Sequence, residues 1–330
     1  MGKAPGKNWR KGMTLAEFFE QFPNDEAAEQ WFIKQRWPDG VRCAHCESAN
    51  VAERANREPR QWRCRDCRKD FSVRTDTVMH NTKLGHRTWA LAMYLMVTSL
   101  KGVSSLKLSR DLGVAYSTAW HLSHRLREAY ADGRNVLRFA GPVEVDETFI
   151  GGKAKNMHAK DRKRRITGRG GVDKAAVVGI KDRETGTVTA QPVPDTDAVT
   201  LVPYVTERTD ADAVVFTDGH KGYNSLPRTH EVVAHSAGEY VRGMAHTNGI
   251  ESFWAMLKRG YVGTYHQLST KHLHRYVNEF SGRHNQRPLD TADQMASTAR
   301  RMGGKRLEYA DLVADAPTGT VAEPDRSEPW

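Results

Sequence analysis

Apolar residues recur along this chain with two different periods, and the change of period divides it. In TLAEFFEQFPNDEAAEQWFIKQRW, Leu15, Phe18 and Phe19, then Ala27, Trp31 and Phe32, fall at helical intervals. Pro23-Asn24-Asp25 parts the two runs, and Asn24 or Asp25 is suited to cap the second helix. The longest unbroken apolar run, Trp89–Val97, predicts a buried helix over Trp89–Leu100 that ends at Gly102. It is far short of the roughly 20 residues that a membrane-spanning helix needs. SSLKLSRDLGVAYSTAWHLSHRLREA then reads as helix, short turn at Gly113, and a second helix from Ser117-Thr118, the pattern of a helix-turn-helix. As a DNA-reading pair, its second helix would offer Ser117, Thr118, His121 and Arg125 to a groove. Two packed helices around a glycine also occur in proteins that touch no nucleic acid.

From about residue 141 the period falls to two. GPVEVDETFIGG alternates Val143 and Val145 against Glu144 and Asp146. DKAAVVGIKDRETGTVTAQPV predicts a hairpin turning at Thr185-Gly186, DTDAVTLVPYVTERT a helix, and DAVVFTDGH a short buried strand ending in Asp218. EVVAHS predicts another strand, and helices follow from Asn248-Gly249 and through STKHLHRYVNEFSGRHNQ. Strands that give way to alternating helices predict an α/β domain. The expected organisation is a helical segment over 1–40, a cysteine-bearing module over 41–75 and a helical unit over 76–135. The α/β domain over 141–300 and an acidic, disordered tail over 301–330 complete it.

Composition narrows the function. With 27% charged and 38% hydrophobic residues, the chain has a soluble globular profile, which excludes collagen-like and wholly disordered classes. A formal net charge of +10 points to a polyanionic partner. The basic N-terminus lacks the apolar stretch of a secretory signal, so a cytoplasmic protein without a membrane partner is expected. Charge is also clustered: KAKNMHAKDRKRRITGR, residues 153–169, holds eight Lys/Arg and one Asp. So charged an insertion between two strands cannot pack into a core. It is expected to project and clamp DNA phosphates through Arg162, Lys163, Arg164 and Arg165.

The four cysteines form two knuckles, Cys43 with Cys46 and Cys64 with Cys67. Two CxxC pairs at this separation match the spacing of a four-thiolate zinc site. Four thiolates leave no position open for substrate, so the Zn²⁺ is structural. His45, inside the first knuckle, is a bystander on that reading.

Three acids stand out by position. Asp146 and Asp218 lie at the ends of predicted strands, and Glu251 lies on the helix NGIESFWAMLKRGY. Ile250, Phe253, Trp254 and Leu257 make that helix's apolar stripe, while Glu251 and Lys258, seven residues apart, share another face. Carboxylates so placed suit two Mg²⁺ ions that clamp the attacking and leaving oxygens of a phosphodiester. Spacing alone does not separate these three from the chain's 40 acidic residues.

The runs VEVDETFIGGK, FTDGHKGYNSL and HSAGEYVRGMAHTNGIESFWAMLKRGYVGTYHQLSTKHLHRYVNEFSGRHNQR do separate them. Over about residues 15–300 the chain resembles the DDE transposases of bacterial insertion sequences, specifically the ISXO2-like family, whose N-terminal zinc ribbon corresponds to the two knuckles. The resemblance implies a ribonuclease-H-like, retroviral-integrase-like catalytic fold. It implies Asp146, Asp218 and Glu251 as the ligands of Mg²⁺ or Mn²⁺, with Lys258 as a catalytic basic residue. It further implies binding of terminal inverted repeats, cleavage at the element ends, joining of 3′-hydroxyl ends to target DNA, and a homo-oligomeric synaptic complex. Two other readings remain open at this point: a zinc-ribbon regulator with an inactive C-terminal domain, and a nuclease that cuts without joining. Asn248, one turn before Glu251, is expected as the helix N-cap or as a donor behind the ligands.

Overall fold

A computed structural model describes residues 11–54, 61–131, 137–151, 174–233 and 247–314. Helices α1 (Leu15–Gln21) and α2 (Asp25–Arg36) form where the periodic runs predict them. Thr14 and Glu17 cap α1 reciprocally, and the Asn24 side chain accepts the Ala27 N–H at 2.8 Å to cap α2. A small antiparallel sheet follows, β1 (Val51–Glu53), β2 (Trp62–Cys64) and β3 (Asp70–Phe71), with Val51 opposite Cys64 and Trp62 opposite Phe71. Trp37, Trp62 and Phe71 lie with ring centroids 5.6–6.0 Å apart and form a miniature core with Cys43 and Cys64.

Next come α3 (His86–Thr98), α4 (Ser105–Leu112) and α5 (Tyr116–Tyr130). Gly113 joins the last two with φ +63°, a conformation that costs glycine little because it has no Cβ. Phe18, Phe22, Phe32, Trp89, Met93, Leu108 and Leu122 bury together as the core of this helical unit.

The second core forms on a five-stranded sheet: β4 (Val143–Ile150), β5 (Ala175–Asp182), β6 (Val188–Val193), β7 (Val214–Asp218) and β8 (Thr229–Val233). The strand order is β6-β5-β4-β7-β8, antiparallel among β4, β5 and β6, parallel from β4 through β7 to β8. This mixed order is consistent with the expected ribonuclease-H-like domain. Alternation assigns its faces. Val143, Val145, Val178 and Ile180 pack against α6 (Ala198–Arg208). Ile150, Val177 and Val188 pack against α7 (Asn248–Gly260) and α8 (Leu273–Asn285). The chain then returns: α9 (Thr291–Arg300) inserts Met295 and Ala299 into the helical unit's core, and α10 (Tyr309–Val313) follows. The basic segment 153–169, with Arg162, Lys163, Arg164 and Arg165, lies outside the described residues. The tail expected to be disordered over 301–330 does so only beyond 314: before that, Met302, Leu307 and Leu312 are buried and α10 forms, because apolar side chains there find the helical unit.

Candidate active site and metal centre

Parallel pairing of β4 with β7 sets Val143 opposite Val215 and Glu144 opposite Phe216. Extending that register by two residues brings Asp146 alongside Asp218. Glu251 enters from the first turn of α7. Each carboxylate is held by a neighbour. Asp146 accepts the Trp254 indole N–H at 3.0 Å and the Glu147 backbone N–H at 2.9 Å. Asp218 accepts the His220 backbone N–H at 3.0 Å, and Glu251 accepts the Thr247 hydroxyl at 3.0 Å.

The electrostatics register this convergence. Burial, then the negative charges of Glu147, Asp218 and Glu251, push the Asp146 carboxyl up to about 7. Glu147 is raised as well, mainly by burial, although the Tyr223 phenol donates to it at 2.7 Å. A cluster that resists its own ionisation is one that divalent cations relieve.

Sequence reasoning singled out the three acids and missed the residues that aim them. Glu144 lies two residues before Asp146 on the same strand face and is buried. Its carboxylate accepts the Ile250 backbone N–H at 2.8 Å and the Arg183 guanidinium at 3.0 Å, so it ties the start of α7 to the central strand. Gly249 permits this approach, since a Cβ there would stand 2.6 Å from the Glu144 carboxylate. Gly179, opposite Asp146 on β5, does the same for Trp254: a Cβ would meet the indole at 2.7 Å. An isolated glycine within AAVVGIKD was the available signal of a close approach. Asn248 is not the cap of α7. That position belongs to Thr247, and Asn248 is the first helical residue. Lys258 is exposed in the last turn, two turns beyond Glu251.

The cysteines form a second centre. All four are free thiols, and their sulfurs lie within 4.8 Å of one another. Cys43 and Cys67 are 3.6 Å apart, Cys46 and Cys64 3.7 Å. Four Zn–S bonds of about 2.3 Å in a tetrahedron require separations of about 3.8 Å, so the residues fit Zn²⁺. Backbone N–H groups of His45 and Cys67 point at Cys43 and Cys64, an arrangement that favours thiolate. The His45 ring stands 3.5 Å from the Asp70 carbonyl instead. Among the described residues this is the one such group of three or more ligand atoms.

The expected recognition residues divide. Ser117 is exposed and Thr118 half-buried at the start of α5, on the wall of a cleft of about 880 Å³. His121 lies 3.2 Å from the Leu307 carbonyl. Arg125 departs from the expectation of a groove-facing side chain: it is 7% exposed, and donates to the carbonyls of Leu307, at 3.1 Å, and His80. It ties the C-terminal segment to α5. Two helices joined at Gly113 are present; their use in reading DNA is not part of this geometry.

Comparison with known proteins gives concordant matches. Residues 138–285 match the ISXO2-like transposase domain, and residues 23–70 the transposase zinc-ribbon domain. An uncharacterized protein in the transposable element ISH50 of Halobacterium salinarum is 29% identical over 270 residues, spanning 78% of this chain and 90% of that protein. An uncharacterized transposase-like protein of Haemophilus influenzae is 28% identical over 96 residues, spanning 28% of this chain and 76% of its own length. Among solved structures, a chain from the simian T-cell lymphotropic virus intasome in complex with PP2A regulatory subunit B56 gamma aligns with 53% of this chain and 63% of its own. Identity there is 12% and the TM-score 0.26, too distant to carry an argument.

Proposed function

Because the chain belongs to the ISXO2-like transposase family with its zinc ribbon, we propose that it cleaves DNA at the ends of its element and joins the 3′-hydroxyl ends to target DNA. The supporting observation is the convergence of Asp146, Asp218 and Glu251, with Asp146 pushed up to about 7 by burial and its acidic neighbours. These residues would hold Mg²⁺ or Mn²⁺, hard cations that prefer such carboxylate oxygens. Divalent cations bound there would polarise the scissile phosphate and make the attacking oxygen more acidic.

The chain's own residues set the geometry. Asp146 is oriented by Trp254 on its α7 side and by its own strand backbone on the other. Glu251 is aimed by Thr247 and, through the first turn of α7, by Glu144. Lys258, on the same helix face, offers a cation to a neighbouring phosphate. The exposed start of α5, with Ser117 and Thr118, and the basic residues Arg162 to Arg165 would contact the terminal repeats and flanking phosphates, and two copies would hold two ends together.

The test is single-turnover incubation with terminal-repeat DNA and Mg²⁺ or Mn²⁺. Nicked ends followed by joined products are expected, and Glu251→Gln should abolish both while Asn248→Ala leaves them measurable. Nicks without joining would make the protein a nuclease. The absence of any strand cleavage would make the acidic site inactive.

A further inference from the structure

Helix α7 carries two polar stripes side by side. Glu251, Ala255 and Lys258 make the first; Ser252, Met256 and Arg259 make the second and line a cleft of about 770 Å³. The opposite walls are the end of α3, with Lys101, and the end of α8, with Arg283 and Arg287. Four cations border this cleft, and no carboxylate is among the residues that line it.

A plain alternative is that these cations only offset helix ends, since α3 and α8 terminate here, while α7 runs on into a π turn over Tyr261–Tyr265. Arg283 does serve that purpose: it donates to the Ser99 carbonyl and pairs with Glu279 at 3.0 Å. Lys101, Arg259 and Arg287 do not. They are exposed and make no side-chain hydrogen bond or ion pair among the described residues. Two helix ends contribute about half a negative charge each, against three full positive charges that reach beyond them. The cleft therefore keeps a positive field, concentrated by its walls.

We propose that this cleft grips DNA backbone through Lys101, Arg259 and Arg287, without regard to sequence. The direction of the path rests on the proposed active site; the cation set does not. Arg259 lies eight residues beyond Glu251, about 12 Å along the helix at 1.5 Å per residue. At 3.4 Å per nucleotide that is roughly three to four nucleotides from the scissile bond. A polyanion lying over the Glu251 stripe needs only to cross to the next stripe of the same helix to enter the cleft.

The experiment measures the salt dependence of binding, in the absence of divalent cations, to one duplex ending in the terminal repeat and one unrelated duplex. The protein compared with wild type is the full-length triple variant Lys101→Ala, Arg259→Ala, Arg287→Ala. Three lost phosphate contacts should flatten the log–log slope by up to about 2.7 on both duplexes. The affinity ratio of wild type to variant should then shrink about fortyfold between 50 and 200 mM salt. An unchanged slope, or a change confined to the terminal-repeat duplex, overturns the proposal; in the first case the cleft would suit an acidic polypeptide better. The variant Arg259→Lys, Arg287→Lys should keep the slope, because a point charge suffices. If the triple variant melts early, the single variants decide, each expected to lower the slope by about 0.9. Asp146→Asn separates the two readings: it should abolish cleavage and leave the slope intact.

Discussion

Asp146 is held against the repulsion of three other carboxylates by the Glu147 backbone N–H and the Trp254 indole N–H, and Trp254 is the side chain whose removal tests the site most directly. Trp254→Phe keeps an aromatic ring on α7 but loses the 3.0 Å hydrogen bond, together with the far indole edge, Cη2 and Cζ2, that lies over Gly179. Loss of such an orienting contact typically costs 10–100-fold in metal affinity or rate, and single-turnover cleavage across a Mn²⁺ titration should show a loss of about that size. Away from the site, His86 makes stability depend on pH. Burial, and then the Arg74 guanidinium at 2.9 Å, hold it down to about 4, although Asp25 and Glu29 stand 3.4 and 3.6 Å from its ring. Below its ordinary value of 6.5 the unfolded chain takes the proton first. The contribution of neutral His86 is thus full above 6.5 and is lost as pH falls from 6.5 through about 4. His86→Gln should flatten urea-unfolding stability across that window, by up to about 1.4 kcal/mol per pH unit.

At the scale of elements, two fixtures join pieces that would otherwise be independent. The zinc ribbon has two- and three-residue strands and a core of a few aromatics, too little to stay folded without its metal. Cys64→Ser, or chelation, should release zinc and unfold this module while the far-ultraviolet signal of the sheet domain persists; terminal-repeat binding should fall with it. Glu144 is the second fixture, joining β4 to the start of α7. Glu144→Ala leaves the buried Ile250 N–H without this acceptor, at a cost of about 1–3 kcal/mol. The larger effect should fall on cleavage, because Glu251 is the next residue. A fall in kcat well beyond the loss of thermal stability is expected, with recovery in Glu144→Gln, which retains a carbonyl acceptor.

The whole molecule is joined across the contact of α5 with α8. Arg127 and Glu279 are both 0% exposed and 2.8 Å apart, and Tyr265 and Arg283 also donate to Glu279. The Arg127 guanidinium stacks on the Tyr276 ring, 4.1 Å from its centroid, within the same interface. The pair links the helical unit to the sheet domain, and one charge left there alone is costly. Glu279→Gln should lower unfolding stability by about 3–5 kcal/mol in guanidinium titration, whereas replacing both partners by apolar residues of similar volume should restore much of it.

Some of this was present in the sequence alone, because it is encoded between near neighbours. The knuckles hold their spacing in any context, so Cys43, Cys46, Cys64 and Cys67 meet as expected. The periods of 3.6 and two placed the strands of Asp146 and Asp218 and the helix of Glu251, and the motifs around them pointed to the family, although Asp146 stands mid-strand in Val143–Ile150 and not at a strand end as expected. What depended on tertiary structure was every partner far along the chain. Trp254 against Asp146, Glu144 under Ile250, and Arg125 turned inward to Leu307 are choices made by packing. The return of α9 into the helical core is another such choice. A side chain's periodicity reports which face it occupies. Which carbonyl or indole it meets there is decided only when two faces close and buried polar groups must find acceptors.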